Sequence, residues 1–150
     1  MILRRATVDD MPYFIESRKV ILGREDDNSI DNILTEYFTN ALRDNIMIAW
    51  VAEDNGQVIS TVCIIICPHV PNFDNLTGKV AYLTNMHTVP SYRGQAIATK
   101  LMSEAINDIK EQGIKKILLN STDVGKPMYE KLGFIKNECY YEMMLSNETV

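Results

Sequence analysis

A chain of 150 residues that is 46% hydrophobic and 23% charged can bury one sizeable core, and a single domain over residues 1–150 is expected. Its formal net charge of −5 speaks against nucleic-acid binding, which needs a basic face, and suits a cationic partner better. No apolar run reaches the roughly 18 residues of a membrane span and no signal-peptide pattern opens the chain, so a cytoplasmic protein without membrane contact is expected.

Residues 2–6 read as a short first strand. Thr7 is placed to cap the helix that follows, which carries Met11, Phe14, Ile15 and Ile21 or Leu22 on one side and ends at Gly23. After the polar loop 24–28 a second helix starts at Ser29 or Asp31 and runs to about Leu42. Ile30, Ile33, Leu34, Tyr37, Phe38 and Ala41 recur along it at helical spacing. Two strand-like runs, 46–53 and 57–67, flank Asp54-Asn55-Gly56, and Asn-Gly in that setting is a strong hairpin signal. A loop with Pro68, Pro71 and Gly78 leads to a strand over 79–87, then a helix over 97–112 and a strand within 114–120. Pro127 suits the first turn of a further helix, Gly133 suits its end, and the apolar tail 134–145 reads as one or two final strands. The order β-α-α-β-β-β-α-β-α-β(-β) is that of a mixed α/β domain.

The three cysteines form no even set for a disulfide framework. Cys63 and Cys67 lie in the apolar run 61–67 and read as buried structural thiols rather than as a nucleophile, and Cys139 stands alone. His69 and His87 show no zinc-ligand spacing with them, so no metal is expected.

The densest signal is Thr88-Val89-Pro90-Ser91-Tyr92-Arg93-Gly94-Gln95-Ala96-Ile97-Ala98, which turns a strand into a helix through small residues. Unpaired N–H groups at a helix start, with about half a positive charge from the helix dipole, suit a phosphate. Gly94, Ala96 and Ala98 allow close backbone approach and Arg93 adds a cation. Neither Gly-x-x-x-x-Gly-Lys-Ser/Thr nor Gly-x-Gly-x-x-Gly is present, and an ordinary strand-to-helix turn is the weaker alternative for the loop taken alone.

Its spacing resembles the acetyl-CoA-binding loop of the GCN5-related N-acetyltransferases, Gln/Arg-x-x-Gly-x-Gly/Ala, with Ala96 where that family usually has Gly. A second segment, Met128-Tyr129-Glu130-Lys131-Leu132-Gly133-Phe134, is similar to the same family's Leu-Tyr-x-x-x-Gly-Phe. The Asn-x-x-Ala that often precedes it is replaced by Thr122 and Gly125. Two signatures in the expected order, one helix and one strand apart, cover about the C-terminal half of the chain.

The resemblance implies a mixed, mostly antiparallel central sheet with a splayed parallel strand pair and helices on both faces. It implies that pantetheine enters the splay and pairs with backbone at Met86 and Thr88, the Met86 N–H polarising the thioester carbonyl. Arg93, Gly94, Gln95, Ala96, Ile97 and Ala98 would hold the phosphates. Thr99 either adds a hydroxyl there or is an unliganded first-turn threonine. Asn120 contacts pantetheine, contacts the acceptor or simply ends its strand. Tyr129 stands where the family's general acid commonly protonates the CoA thiolate, against the alternative of a ring packed on the sheet.

The base stays open. Asn85 and His87 lie near the expected thioester position; His87 can accept a proton, while Asn85 can only orient an amine or a water. A bulge is implied in their strand. Glu53, the acidic cluster Glu25-Asp26-Asp27 and a water relay are the other candidates. The implied activity is direct transfer from acetyl-CoA to a primary amine of a small molecule, peptide or protein. Acceptor choice would lie in the first two helices, the loop 68–78 and the tail. A non-catalytic acyl-CoA sensor or interaction module of the same fold is the alternative, and a homodimer through the C-terminal strand is compatible with the sequence.

Overall fold

The computed structural model describes residues 1–145. Four strands, β1 (Ile2–Arg5), β2 (Met47–Asp54), β3 (Gln57–Pro68) and β4 (Lys79–Thr88), pair antiparallel in that order. A three-residue strand, β5 (Ile117–Leu119), adds parallel to β4 and completes a five-stranded sheet. β2 and β3 are joined by Asn55-Gly56, with φ of 49° and 76°. Two consecutive left-handed residues are what a two-residue hairpin turn demands, so the Asn-Gly expectation is met.

Helices cover both faces of this sheet. On one, α1 (Met11–Leu22) and α2 (Asp31–Arg43) pack Met11, Phe14, Ile15, Phe38 and Ala41 against Met47, Ala49, Val51 and Cys63. On the other, α3 (Ile97–Glu111) buries Ile97, Leu101, Met102, Ala105 and Ile109. Gly23 ends α1 at φ 67°, as expected. The mixed sheet with one parallel pair and helices on both sides is the architecture expected from the sequence.

Three charged clamps fix the frame. Asp108 of α3 is buried and accepts the indole N–H of Trp50 at 2.7 Å and an Arg5 N–H at 2.6 Å. Arg4 donates two hydrogen bonds to Asp10, at 2.8 and 2.9 Å, and also reaches Glu53 at 2.8 Å. Burial works to raise the Asp10 carboxyl, but hydrogen bonds from Arg4 and from the Thr7 N–H outweigh it and hold it below the usual carboxylate range. Buried Lys19 reaches Glu16 at 2.9 Å, Asn28 at 2.8 Å and Asp31 at 3.5 Å, and so pins the connection between α1 and α2.

Several expectations are corrected. Ile33 and Tyr37 share helical spacing with the core side of α2 but are exposed, Ile33 at 65%. Phe38 and Ala41, with Leu34 partly buried, suffice to cover the sheet. Residues 134–145 form no strand, and Tyr140, Tyr141, Met143, Met144 and Leu145 are exposed. Strand propensity is realised only where a paired neighbour covers the backbone.

The chain divides into two compact units, Met1–Asn120 and a second from Ser121 onward. The second contains α4 (Lys126–Lys131), opened by Pro127 and followed by Gly133 at φ 94°. Among the described residues, no helix is long and apolar enough to cross a membrane.

The Asp108 clamp is testable. Asp108→Ala strands the Trp50 N–H, and the expected cost is about 2 kcal/mol. Urea unfolding followed by the fluorescence of this single tryptophan reads it directly. A midpoint equal to that of the parent would remove the clamp from the account.

Candidate functional site

The pairing of β4 with β5 runs only through Ala81↔Ile117, Tyr82↔Leu118 and Leu83↔Leu119. β4 continues to Thr88, held on its other side by β3. From Thr84 to Thr88 the edge of β4 on the β5 side therefore has no strand partner among the described residues. An extended ligand carrying amides can add to such an edge as a further strand.

The other side of β4 is irregular at the same level. Cys63 pairs with Thr84 and Thr61 with His87, so β4 uses three steps where β3 uses two. This is the bulge the resemblance implied, and Asn85 sits in it at φ 55°. Asparagine tolerates the left-handed region better than most residues. Thr84, opposite Cys63, faces α1 and α2; alternation would send Asn85 to the far side, but the left-handed turn brings it back. Its Nδ2 donates to the Phe14 carbonyl at 3.1 Å and to Ser17 Oγ at 2.8 Å, and its carbonyl accepts from Thr61 Oγ1 at 3.2 Å. Asn85 is 3% exposed and its Oδ1 is enclosed without a partner among the described residues. Its donors are thus committed to α1, not to solvent.

His87 lies across from Thr61 on the same face. Its Nε2 is enclosed and without a hydrogen-bond partner among the described residues. Burial first, and the charge of Arg93 second, lower its pKa below the ordinary 6.5, so the imidazole is neutral at pH 7. The His87 carbonyl accepts from Ser60 Oγ at 2.9 Å, and the same hydroxyl lies 2.8 Å from Thr88 Oγ1. Met86, between Asn85 and His87, is half-buried.

The loop after β4 is tied down at three points. The Val89 N–H donates to the Ile59 carbonyl at 2.9 Å, Arg93 Nε to the Thr88 carbonyl at 3.0 Å, and the Tyr92 hydroxyl to Asp54 at 3.1 Å. Gly94 has φ 76° and Ala96, the residue that caps α3, has φ 59°. The first rung of α3 runs from the Lys100 N–H to the Ala96 carbonyl at 3.1 Å. The N–H groups of Ile97, Ala98 and Thr99 precede that rung and lack partners within the helix. Thr99 stands in the first turn, its carbonyl accepting from Ser103, and Gln95 is exposed beside it. A left-handed alanine costs about 1 kcal/mol, which explains why a glycine is usual at position 96 in the pattern this loop resembles.

Asn120 follows β5 and donates to the Tyr82 hydroxyl at 3.1 Å, bridging the two strands where they are still paired. In the second unit Tyr129 is half-buried and stacks edge-on to Phe134, with centroids 5.8 Å apart at 73°. Burial raises its pKa above 10, so the phenol keeps its proton. Gly125 admits that ring: a Cβ there would lie 2.9 Å from Tyr129 Cε2.

The remaining candidates are accounted for otherwise. Glu53 pairs with Arg4, Asp27 accepts the Ser29 N–H, and Glu25 and Asp26 are exposed in the loop after α1. Cys63 is buried and its pKa is pushed up to about 12, which removes it as a nucleophile. Among the described residues no cluster of three or more His, Cys, Asp or Glu side chains could hold a metal. Ser17, Thr61 and Arg18 were not legible as site residues, because polar positions on a first helix and in an apolar strand carry no signature.

An unpaired strand edge running into a loop that presents helix N–H groups is a constellation with known relatives. The chain belongs to the acetyltransferase (GNAT) family, whose model matches residues 11–134. It is 33% identical to N-alpha-acetyltransferase 30 of Schizosaccharomyces pombe over 102 residues, which is 65% of this chain and 64% of that protein. It is 27% identical to the glucosamine 6-phosphate N-acetyltransferase of Trypanosoma brucei brucei over 86 residues, 57% of this chain and 56% of that protein. The chain thus spans less than two thirds of the length of both. A predicted acetyltransferase from Clostridium acetobutylicum, solved as a crystal structure with acetyl-CoA, superposes with a TM-score of 0.89 at 37% identity, covering 96% of each chain. A Ralstonia eutropha GCN5-related N-acetyltransferase shares the fold at a TM-score of 0.85 and 20% identity, covering 97% of this chain and 99% of that one.

Ala96→Gly relieves about 1 kcal/mol of left-handed strain and adds about 0.4–1 kcal/mol of unfolded-state freedom, so a net gain of about 0–0.5 kcal/mol is expected. Thermal unfolding measures this. A lower midpoint would show that the Ala96 methyl makes contacts worth more than its strain.

Proposed function

We propose that this protein transfers the acetyl group of acetyl-CoA directly to a primary amine within a ternary complex. The observation that carries the reading is the open edge of β4, Thr84 to Thr88, leading through a single turn over Pro90–Tyr92 into the Arg93–Ala98 loop and the start of α3. The edge suits a pantetheine arm with its amides, and the loop suits the pyrophosphate. The acetyl-CoA in the Clostridium acetobutylicum structure and the N-acetyltransferase names of both curated relatives point the same way. Acetyl-CoA supplies the activated acyl group; every other task falls to this chain.

In this reading the backbone of Met86 and Thr88 pairs with pantetheine, and the Met86 N–H stabilises the thioester oxygen as it gains charge. Gly94, Gln95, Ala96, Ile97, Ala98 and Thr99 offer backbone to the phosphates, with Arg93 as the cation. Asn120 keeps β5 in register with β4 below the opening through Tyr82. His87, neutral and with an unengaged Nε2, takes the proton that the amine sheds. Asn85 shapes the strand that carries it. Tyr129 holds its proton until the CoA thiolate departs and then donates it. Cys63 is unavailable as a nucleophile, which favours direct transfer over a covalent acyl-enzyme.

Calorimetric titration with acetyl-CoA, free CoA and dephospho-CoA tests the foundation. Specific binding is expected, and its absence at millimolar ligand would leave only the fold. Binding without turnover on any amine would point to a sensor instead. Tyr129→Phe should lower kcat about 10²-fold while acetyl-CoA affinity stays within about twofold. An unchanged kcat would return Tyr129 to a packing role.

The pH dependence carries a sign. The His87 pKa is lowered, so the proton-accepting form prevails above that depressed value and is lost as pH falls through it. At saturating acceptor, kcat should therefore drop on the acid side with an apparent pKa below 6.5, and His87→Gln should abolish that limb. A limb that survives the substitution would assign the base elsewhere.

A further inference from the structure

We infer that the acceptor amine carries an anionic group of its own, a carboxylate or a phosphate ester, and that Arg18 receives it; this deepens the acetyltransferase reading and rests on it. Arg18 is half-buried on α1, and its Nη1 lies 3.4 Å from Thr84 Oγ1. Thr84 is the first residue of β4 beyond its pairing with β5, so the guanidinium stands where the free edge begins. Among the described residues it meets no carboxylate within ion-pair distance, in contrast to its neighbours. Lys19, one residue on, has Glu16 and Asp31; Arg4 has Asp10 and Glu53; Arg5 has Asp108.

The groups seen near Arg18, the Thr84 hydroxyl, the Cys63 thiol and the Tyr37 phenol, are neutral. Burial dominates in raising the Cys63 thiol and the Tyr37 phenol, and the positive charge of Arg18 opposes it in both. A partly desolvated guanidinium among neutral groups loses hydration with no anion in return, and its planar fork matches a carboxylate or phosphate in two-point fashion. Thr84, Asn85 and His87 all look toward the α1 side, and α1 covers Asn85 there, so a substrate held at Arg18 extends to the proposed base along the open edge of β4 rather than over Asn85. Three strand residues rise about 10 Å at most, which bounds the distance between its anion and its amine.

Three amines of one chain length test this: aminohexanol, ω-aminocaproate and aminohexyl phosphate. Their acetylation and their binding to the CoA-loaded protein are measured with the parent, Arg18→Gln and Arg18→Lys, with thermal midpoints to certify folding. The parent should favour the two anionic amines over aminohexanol by at least about tenfold in kcat/KM and in affinity. Arg18→Gln should bring the three within about twofold, and Arg18→Lys should keep part of the preference. Equal treatment of the three by the parent, including failure to bind the anionic pair, overturns the proposal. A preference that survives Arg18→Gln does the same. A preference for aminocaproate alone or for the phosphate alone sets which anion the site takes. Discrimination in binding with no acetyl transfer overturns the enzymatic reading but upholds the anion site, whereas transfer without discrimination does the reverse.

Discussion

A strand cannot carry one extra residue without breaking its alternation, and β4 breaks it at Asn85. Thr61 and Cys63 of β3 face His87 and Thr84, and the surplus is absorbed by a left-handed asparagine whose amide is hydrogen-bonded to α1. Much follows from this one irregularity. Thr84 and Asn85 end on the same face although they are adjacent, Met86 is carried on the bend, and His87 is returned to the α1 side. β5 is short and its pairing ends at Leu83, so the edge of β4 opens at the level where the bulge starts. The hydrogen bonds of Ser17 and Thr61 with Asn85 make the distortion a property of the packed interior rather than of a loose edge.

Elsewhere the protein keeps its buried charges in closed sets. Asp108 joins α3 to Arg5 and Trp50, Asp10 joins the start of α1 to Arg4, and Lys19 closes the turn between α1 and α2. Each set holds a helix that frames the opening. The clamp on α3 lies near that helix's far end, away from the first turn, whose N–H groups lack partners within the helix. The loop before α3 is drawn to the β2–β3 hairpin by Tyr92 and Asp54, so the start of the 93–98 segment is anchored to the sheet. Against this background the guanidinium of Arg18, with its neutral surroundings, is the exception.

Local chemistry made the frame readable in advance. Asn55-Gly56 could only turn one way, Gly23 could only end α1, and the Arg93–Ala98 spacing brought a helix start to the end of a strand. Periodicity was less faithful at the margins. Ile33 and Tyr37 keep helical spacing yet face solvent, because a helix resting on a sheet buries a narrower stripe than its apolar positions describe. The tail from Tyr140 to Leu145 has the composition of a strand and none of the pairing.

By itself the sequence determined the order of elements as far as α4, the hairpin, the strand-to-helix loop over 88–98 and the family resemblance, because each rests on residues close together in the chain. Only the tertiary structure decided that the Asn85 amide belongs to α1, that His87 is enclosed and neutral, that Glu53 is engaged by Arg4, and that Arg18 stands beside Thr84 without an acid. Those facts depend on which residues, 49 to 71 positions apart in the chain, burial brings within hydrogen-bonding distance, and on how much water is left around a charge once they have met.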